Sequence, residues 1–289
     1  MSSGAKTTSI LFSAARRAGT AAVLDEVRRT VAAHSQVAGE FDVEETLPAT
    51  LRADRAVVVG GDGTIMAALR QLVDRAIPVV GVNTGRLGFL AEFDTSTLQQ
   101  HARTVFGPEP DVRQRMVMQA AVRSAAGKLK YQGIAINDCV VTSGPPYRMI
   151  ELALDFGQED GPEFLGDGII VATPVGSTAY NVSAGGPIVH PDVEAIVMTP
   201  IAAHSLAFRP TVLPSSTVVV ARVVRANAGT TLVLDGHINV QLDVGDTVTV
   251  ERHHGMARIV ACPGTGYWQT LVDKMRWAAR PKYREGHQP

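Results

Sequence analysis

Few folds accommodate VVVGGDGTIMAALRQL, residues Val57 to Leu72. The first part is apolar and β-branched and stops at glycine, which reads as a buried strand, AVVV from Ala56 to Val59. The second part puts Ile65, Ala68, Leu69 and Leu72 on one face of a helix over Thr64–Val73. A strand, a tight glycine turn and a helix make half of a crossover unit, which implies parallel pairing. The flanking segments repeat the rhythm. SILF (Ser9–Phe12) and IPVVGV (Ile77–Val82) read as strands, and Ala21–Ala33 carries Val23, Leu24, Val27 and Val31 at helical spacing. The expected fold is an α/β N-terminal domain with an open, mostly parallel sheet.

The rhythm changes near Val112. MVMQAAV, GIAINDCVVT, MIELALDF, DGIIVAT, STVVVARVV, TTLVLDG, HINVQL and DTVTVE follow one another as short β-rich runs separated by turn residues. Helical patterns are scarce there, with one candidate over Ser183–Ala203. This is a β-rich C-terminal domain. Thr265–Trp277 is helical in pattern again and is expected to pack back on the first domain. The boundaries are 1–110, 111–262 and 263–289.

Bulk properties exclude several function classes. A chain of 289 residues buries about three quarters of its unfolded surface, so it needs no disulfide or metal to hold a core. Its net charge of −1 leaves no electrostatic footprint for nucleic acid. The nearest basic cluster, Arg276–Arg284, reads as a solvated tail. Cys139 and Cys262 are the only cysteines, and without CxxC spacing they give neither a disulfide scaffold nor a zinc site. Met1–Ala15 lacks a signal-peptide core. No apolar run reaches the ~18 residues a membrane span needs. The expected location is the cytoplasm, with no membrane partner.

The glycine–aspartate turn sits where open α/β sheets bind ligands, at the carboxyl end of a strand. Gly60, Gly61 and Gly63 are read as permitting positive φ and close approach. Free N–H groups at the start of the next helix attract phosphate. Asp62 does not suit a plain phosphate cradle, because like charges repel. It either accepts a proton from an attacking hydroxyl, helps to hold a metal ion, or caps the helix. The stretch is neither a Walker loop nor GxGxxG.

GGDGT after a strand resembles the signature shared by NAD kinases, diacylglycerol and sphingosine kinases and, more loosely, phosphofructokinases. GVNTGRLGFLAEF, Gly81–Phe93, is similar to the G-x-N-x-G-x-L-G-F-L run of NAD kinases, although Leu87, Phe89 and Leu90 also make an apolar plug. GDGIIVATPVGSTAYNVSAGGPIVHP, Gly166–Pro191, resembles the NAD kinase GDG…TPTGSTAY…SAGGPI block almost throughout, with Val175 where Thr or Ser is usual. The resemblance spans roughly Val57 to Asp246. It implies transfer of a phosphoryl group to the 2′-hydroxyl of the adenosine ribose of NAD, giving NADP. It also implies ATP or polyphosphate as donor, Mg²⁺ or another divalent cation with ligands unknown, and a homodimer or homotetramer. A lipid kinase shares GGDGT but not the TPVGSTAY block. A non-catalytic NAD(P) sensor on the same fold would not need Asp62.

The same resemblance implies the site. Asp62 is the catalytic base, with Gly61 and Gly63 beside it at the donor. Asn137 and Asp138 match the family's Asn-acid pair, the amide suiting an adenine edge and the carboxylate ribose hydroxyls. Thr178, Ala179, Tyr180, Asn181 and Ser183 form the dinucleotide loop, Tyr180 offering a ring to stack and Ala179 permitting close approach. Arg148 and Asp167 match ligand-contacting positions, although Leu165 stands where relatives often carry a basic residue. Asp235-Gly236 reads as a hairpin turn. His237 follows where many relatives have Gln and is read as a contact to ligand phosphate or ribose, and His204 reads as structural. The dinucleotide is expected between the domains.

Overall fold

Residues 7–14, 20–85, 88–157 and 160–278 are described by the computed structural model. Leu87, Arg280–Arg284 and the first six residues, on which expectations were placed above, lie outside them. The chain divides into two units. One comprises Met1–Ala68, Ile77–Arg113 and Ile259–Pro289, the other Leu69–Ala76 and Gln114–Arg258.

The first unit is built on β1 (Thr8–Ser13), β2 (Gln36–Asp42), β3 (Arg55–Val59) and β4 (Val79–Val82), with helices α1 (Thr20–His34), α2 (Asp62–Leu72) and α3 (Thr95–Val105). The strands are parallel in the order β2-β1-β3-β4. All five residues of β3 are buried, as a parallel strand covered on both faces must be. Val57, Val59, Val80 and Val82 pack with Val27 and Val31 of α1 and with Leu98 and Ala102 of α3. The other face receives α2, where Gly81 makes room: a Cβ there would come within 2.7 Å of Ile65 Cδ1. The expected α/β domain is present. β2 and α3 were not foreseen.

The second unit is antiparallel. Its strands are β5 (Val112–Arg123), β6 (Leu129–Ala135), β7 (Asp138–Thr142), β8 (Ile150–Asp155), β9 (Asp160–Gly166), β10 (Gly168–Ala172), β11 (Ala195–Ile201), β12 (Thr211–Pro214), β13 (Val219–Arg225), β14 (Thr231–Leu234), β15 (Ile238–Gln241) and β16 (Thr247–Val260). One sheet runs β12-β11-β10-β7-β14-β15. Facing it, β16-β13-β8-β9 are joined by β5 and β6. The core between them takes Met118 and Ala120 from β5, Leu152 from β8, Cys139 and Val141 from β7, and Leu232 and Leu234 from β14. Alternate residues of β7 and β10 turn outward, where Val140, Ile170 and Ala172 meet Val189.

The helix expected over Ser183–Ala203 is corrected. Only a short helix α4, Tyr180–Ser183, forms there, and Ala195–Ile201 is the nearly continuously buried strand β11. Gly185 takes a φ of 86°, and Pro187 and Pro191 withhold N–H donors, so no helix can pass. The C-terminal helix α5 (Tyr267–Met275) falls inside the first unit's residues. Cys139 and Cys262 are both free and buried. Among the described residues no helix is long and apolar enough to cross a membrane.

Candidate functional site

Asp62 opens α2 directly after the carboxyl end of β3. Its side chain does not cap its own helix. Oδ2 accepts the N–H of Phe89 at 2.9 Å, and Oδ1 accepts those of Leu90 and Ala91 at 3.1 and 3.3 Å. The two glycine-rich runs of the first unit are therefore tied by one carboxylate. An acid also suits the first turn of a helix, where the backbone dipole is positive. The N–H groups of Gly61, Asp62 and Gly63 have no acceptor among the described residues, which leaves an anion-binding helix N-terminus.

One expectation about this turn is corrected. None of Gly60, Gly61 and Gly63 adopts positive φ. At Gly60 the requirement is space: a Cβ would lie 2.6 Å from Thr64 Oγ1. At Gly61 a Cβ would meet nothing within 4 Å, so that position stays open above the turn.

In the second unit, a cleft of about 310 Å³ opens on the outward face of the six-stranded sheet. That volume is at the lower end of small-molecule sites. Asp138, Val140 and Thr142 enter it together, because residues two apart on β7 share a face. Asn137, Ala179, Tyr180, Val233, Asp235 and Gly236 complete the lining. Tyr180 is 47% exposed, which leaves its ring available for stacking. Asp138 is buried, and its carboxyl is pushed up to about 7, first by burial and then by the neighbouring Asp235 charge. It makes no side-chain hydrogen bond among the described residues.

Asp235 and Gly236 form the expected turn between β14 and β15, both at positive φ (48° and 72°), closed by His237 N–H to the Leu234 carbonyl at 3.1 Å. The Asp235 side chain does more than fit the turn. It is fully buried, accepts three backbone N–H groups from Ile136, Asn137 and Asp138, and pairs with Arg70 at 2.7 Å.

The other expected residues are placed variously. Thr178 Oγ1 donates to the Val175 carbonyl at 3.2 Å, outside the cleft lining. Asn181 is wholly buried, and its amide donates to the Ser177 and Pro187 carbonyls at 2.9 Å while its oxygen accepts from Thr199. These bonds hold the loop, and Asn181 is not among the residues that line the cleft. Ser183, Arg148 and His237 are exposed. His237 Nδ1 lies 2.7 Å from the Asp235 carbonyl oxygen. Asp167 is half-buried, with its backbone bonded to Ile201 and Ser143. His204 is exposed rather than structural. Sequence reasoning missed Val140, Thr142, Val233 and Arg70. Period-two alternation through DCVVT was the available signal for the first two.

Asp74, His253 and His254 bring one potential metal ligand atom each within 4.8 Å of one another. His253 Nδ1 accepts the Gly255 N–H at 3.0 Å, which puts the ring proton on Nε2, the nitrogen 3.4 Å from Asp74 Oδ1. A metal ion would need that nitrogen bare, so the set does not fit one.

A helix N-terminus with free N–H groups at the carboxyl edge of a parallel sheet, and a β-rich unit whose largely apolar cleft carries an acid, an amide and a ring, fit the class of nucleotide-binding proteins. Comparison with known proteins agrees. Residues 9–109 match the ATP-NAD kinase N-terminal domain, and residues 136–262 the ATP-NAD kinase C-terminal domain. An NAD kinase of Geobacter metallireducens is 37% identical over 228 residues, covering 79% of this chain and 80% of its own. An NAD kinase from Archaeoglobus fulgidus, solved in complex with ATP, gives a TM-score of 0.74 at 26% identity over 93% of this chain and 98% of that one. Yeast NADH kinase complexed with NADH gives a TM-score of 0.86 over 97% and 91% of the two chains, and at 24% identity is a likeness of fold. The chain belongs to the NAD kinase family.

Proposed function

We infer that the chain transfers a phosphoryl group from ATP to the 2′-hydroxyl of the adenosine ribose of NAD, producing NADP. Family membership over most of the chain is the observation that carries this reading. The cleft of the second unit supplies what an adenosine needs. Val140 and Val233 give apolar contact, Tyr180 a ring face, Asn137 an amide for the adenine edge, and Asp138 an acceptor for ribose hydroxyls. The free N–H groups of Gly61–Gly63 receive donor phosphate.

Asp62 accepts the proton of the 2′-hydroxyl as that oxygen attacks the γ-phosphorus of ATP, and the bond from phosphorus to the bridging oxygen breaks to release ADP. Its three backbone hydrogen bonds leave one of about four carboxylate lone-pair sites for this, on Oδ2. The backbone bonds also fix the direction of the carboxylate, and positioning is most of what phosphoryl transfer asks of a protein. The turn fits Mg²⁺ in a limited way. Among the described residues no group of acids gathers at Asp62, so a divalent ion would be held mainly by donor phosphate and water, and the free Oδ2 position is kept for the proton. The bound ion neutralises phosphate charge. The family resemblance extends the reading to a homodimer or homotetramer, which light scattering on the eluting protein reads directly.

The deciding assay incubates the purified chain with NAD, ATP and Mg²⁺ and detects NADP with an NADP-specific dehydrogenase. NADP formed in proportion to enzyme supports the reading. An NAD-saturated sample that yields none rejects it, and replacing ATP by polyphosphate identifies the donor.

A further inference from the structure

We propose that Arg70 and Asp235 form a positioning pair that presents Asn137 and Asp138 to the nucleotide, Asp235 by gathering their backbone N–H groups and Arg70 by pairing with Asp235 and holding it in place. The proposal rests on the NAD-binding reading of the cleft and adds two residues to it.

The hydrogen bonds of Ile136–Asp138 can be followed completely. All three N–H groups converge on the Asp235 carboxylate, at 3.0, 2.7 and 3.2 Å. Consecutive N–H groups aimed at one oxyanion form a concave anion site, filled here by a side chain of the same protein. The three carbonyls are also bonded. Ile136 O accepts from Thr173 Oγ1 at 2.8 Å, Asn137 O from Thr173 N–H at 2.8 Å, and Asp138 O from Asp235 N–H at 3.0 Å. The backbone is thus fixed on every polar atom, while neither the Asn137 nor the Asp138 side chain makes a hydrogen bond among the described residues. Both remain available to the cleft they line.

Asp235 is fully buried at the side chain, and a buried carboxylate must be paired as well as hydrogen-bonded. Arg70, on the last turn of α2, supplies the partner at 2.7 Å. The pair stands between two cavities. Asp235 lines the nucleotide cleft, and Arg70 lines a second space of about 500 Å³ with Gln119, Tyr131 and Ile134.

The test uses the full chain with Arg70→Lys, Arg70→Met, Asp235→Asn and the Arg70→Met/Asp235→Asn double variant. NAD affinity is measured by calorimetry without ATP, and amide hydrogen exchange of Ile136–Asp138 is followed without ligand. Asn accepts at one end only and turns an N–H₂ towards a backbone N–H at the other. Asp235→Asn and Arg70→Met are each expected to weaken NAD binding about 10- to 100-fold, the range for a lost charged hydrogen bond. Both should speed exchange at Ile136–Asp138. Arg70→Lys, which keeps the charge, should stay within about 3-fold of the parent. The double variant should bind no more weakly than Asp235→Asn alone, because each change removes the same device. Folded single variants that bind NAD like the parent, or strictly additive losses in the double variant, overturn the proposal. If Asp235→Asn does not fold, the Arg70 series decides alone. If the parent binds no NAD, the function reading fails, and unchanged exchange at Ile136–Asp138 then rejects the pair on its own.

Discussion

Gly88 and Asp62 occupy the same space: a Cβ on Gly88 would stand 1.8 Å from Asp62 Oδ1. The carboxylate cannot move aside cheaply, because three N–H groups hold it. Gly88→Ala must therefore push Asp62 out of its cradle. The expected outcome is a fall in kcat of about 10²-fold or more, the size of a displaced general base. NAD affinity measured by calorimetry should be retained. An alanine variant with parental turnover would show that the anchored position of Asp62 is irrelevant to the chemistry.

Asp62→Asn tests the base itself. The amide keeps one acceptor for Leu90 and Ala91 but sets an N–H₂ against the Phe89 N–H. Loss of the base costs about 10²- to 10⁴-fold in kcat, roughly 3–5 kcal/mol of barrier. Two readouts separate the two effects. Steady-state kinetics report the base, and hydrogen exchange over Phe89–Ala91 reports the loosened cradle. Turnover equal to the parent's, whatever the exchange, removes Asp62 from the proton transfer.

Asp138 makes stability depend on pH in a defined direction. Its folded carboxyl titrates at about 7, against 3.8 for the free side chain, because burial penalises the charge. Below about pH 4 both folded and unfolded chains hold the proton, and the site costs nothing. Between about pH 4 and 7 the unfolded chain loses the proton while the folded chain keeps it, so stability falls as pH rises. Above about 7 the cost is constant, on the order of 4 kcal/mol. Asp138→Asn should remove this slope and gain stability relative to the parent from pH 5 to pH 8. Urea midpoints for both proteins at the two pH values check it, and parallel pH profiles would contradict the assignment.

Much of the first unit was legible because its strands are short, β-branched and glycine-bounded, and its helices keep a clean apolar face. α3 was legible too but overlooked. Asp94 caps it, with Thr97 completing the box, and Leu98, Ala102 and Val105 follow on one face. β2 hid because it is an edge strand, with polar Gln36, Glu40 and Asp42 diluting the pattern. Around Ser183–Ala203, apolar spacing suggested a helix, but Gly185, Pro187 and Pro191 outweighed it. Asn137, Asp138, Ala179 and Tyr180 were named from their resemblance to a family pattern, and all four line one cleft. Asp235 was read correctly as a turn residue, yet its clamp on Ile136–Asp138 was invisible. It joins segments about a hundred positions apart, and its partner Arg70 lies 165 positions away. Local pattern carries no information on such pairs.

Asn181 stood in the sequence as a nucleotide contact, and its surroundings give it a different duty. Its amide donates to two carbonyls, Ser177 and Pro187, and its oxygen accepts the Thr199 hydroxyl at 2.7 Å on β11. A Cβ on the neighbouring Gly186 would stand 2.0 Å from that oxygen, so the loop is packed tightly around the amide. Asn181→Ala leaves the buried Ser177 carbonyl and Thr199 hydroxyl without a partner and removes the donor to the Pro187 carbonyl. At about 1–3 kcal/mol for each buried group left unsatisfied, and with some relaxation, the expected loss is several kcal/mol. Thermal unfolding should fall by about 10 °C or more on that scale. Because the loop carries Ala179 and Tyr180, NAD affinity should fall as well, but a saturating concentration of NAD should restore part of the melting temperature by mass action. Asn181→Asp tests the donor requirement separately: the carboxylate still accepts from Thr199 but faces two carbonyls, and it should destabilise at least as much as alanine. A variant that melts like the parent and loses only NAD affinity would return Asn181 to the role of a direct ligand.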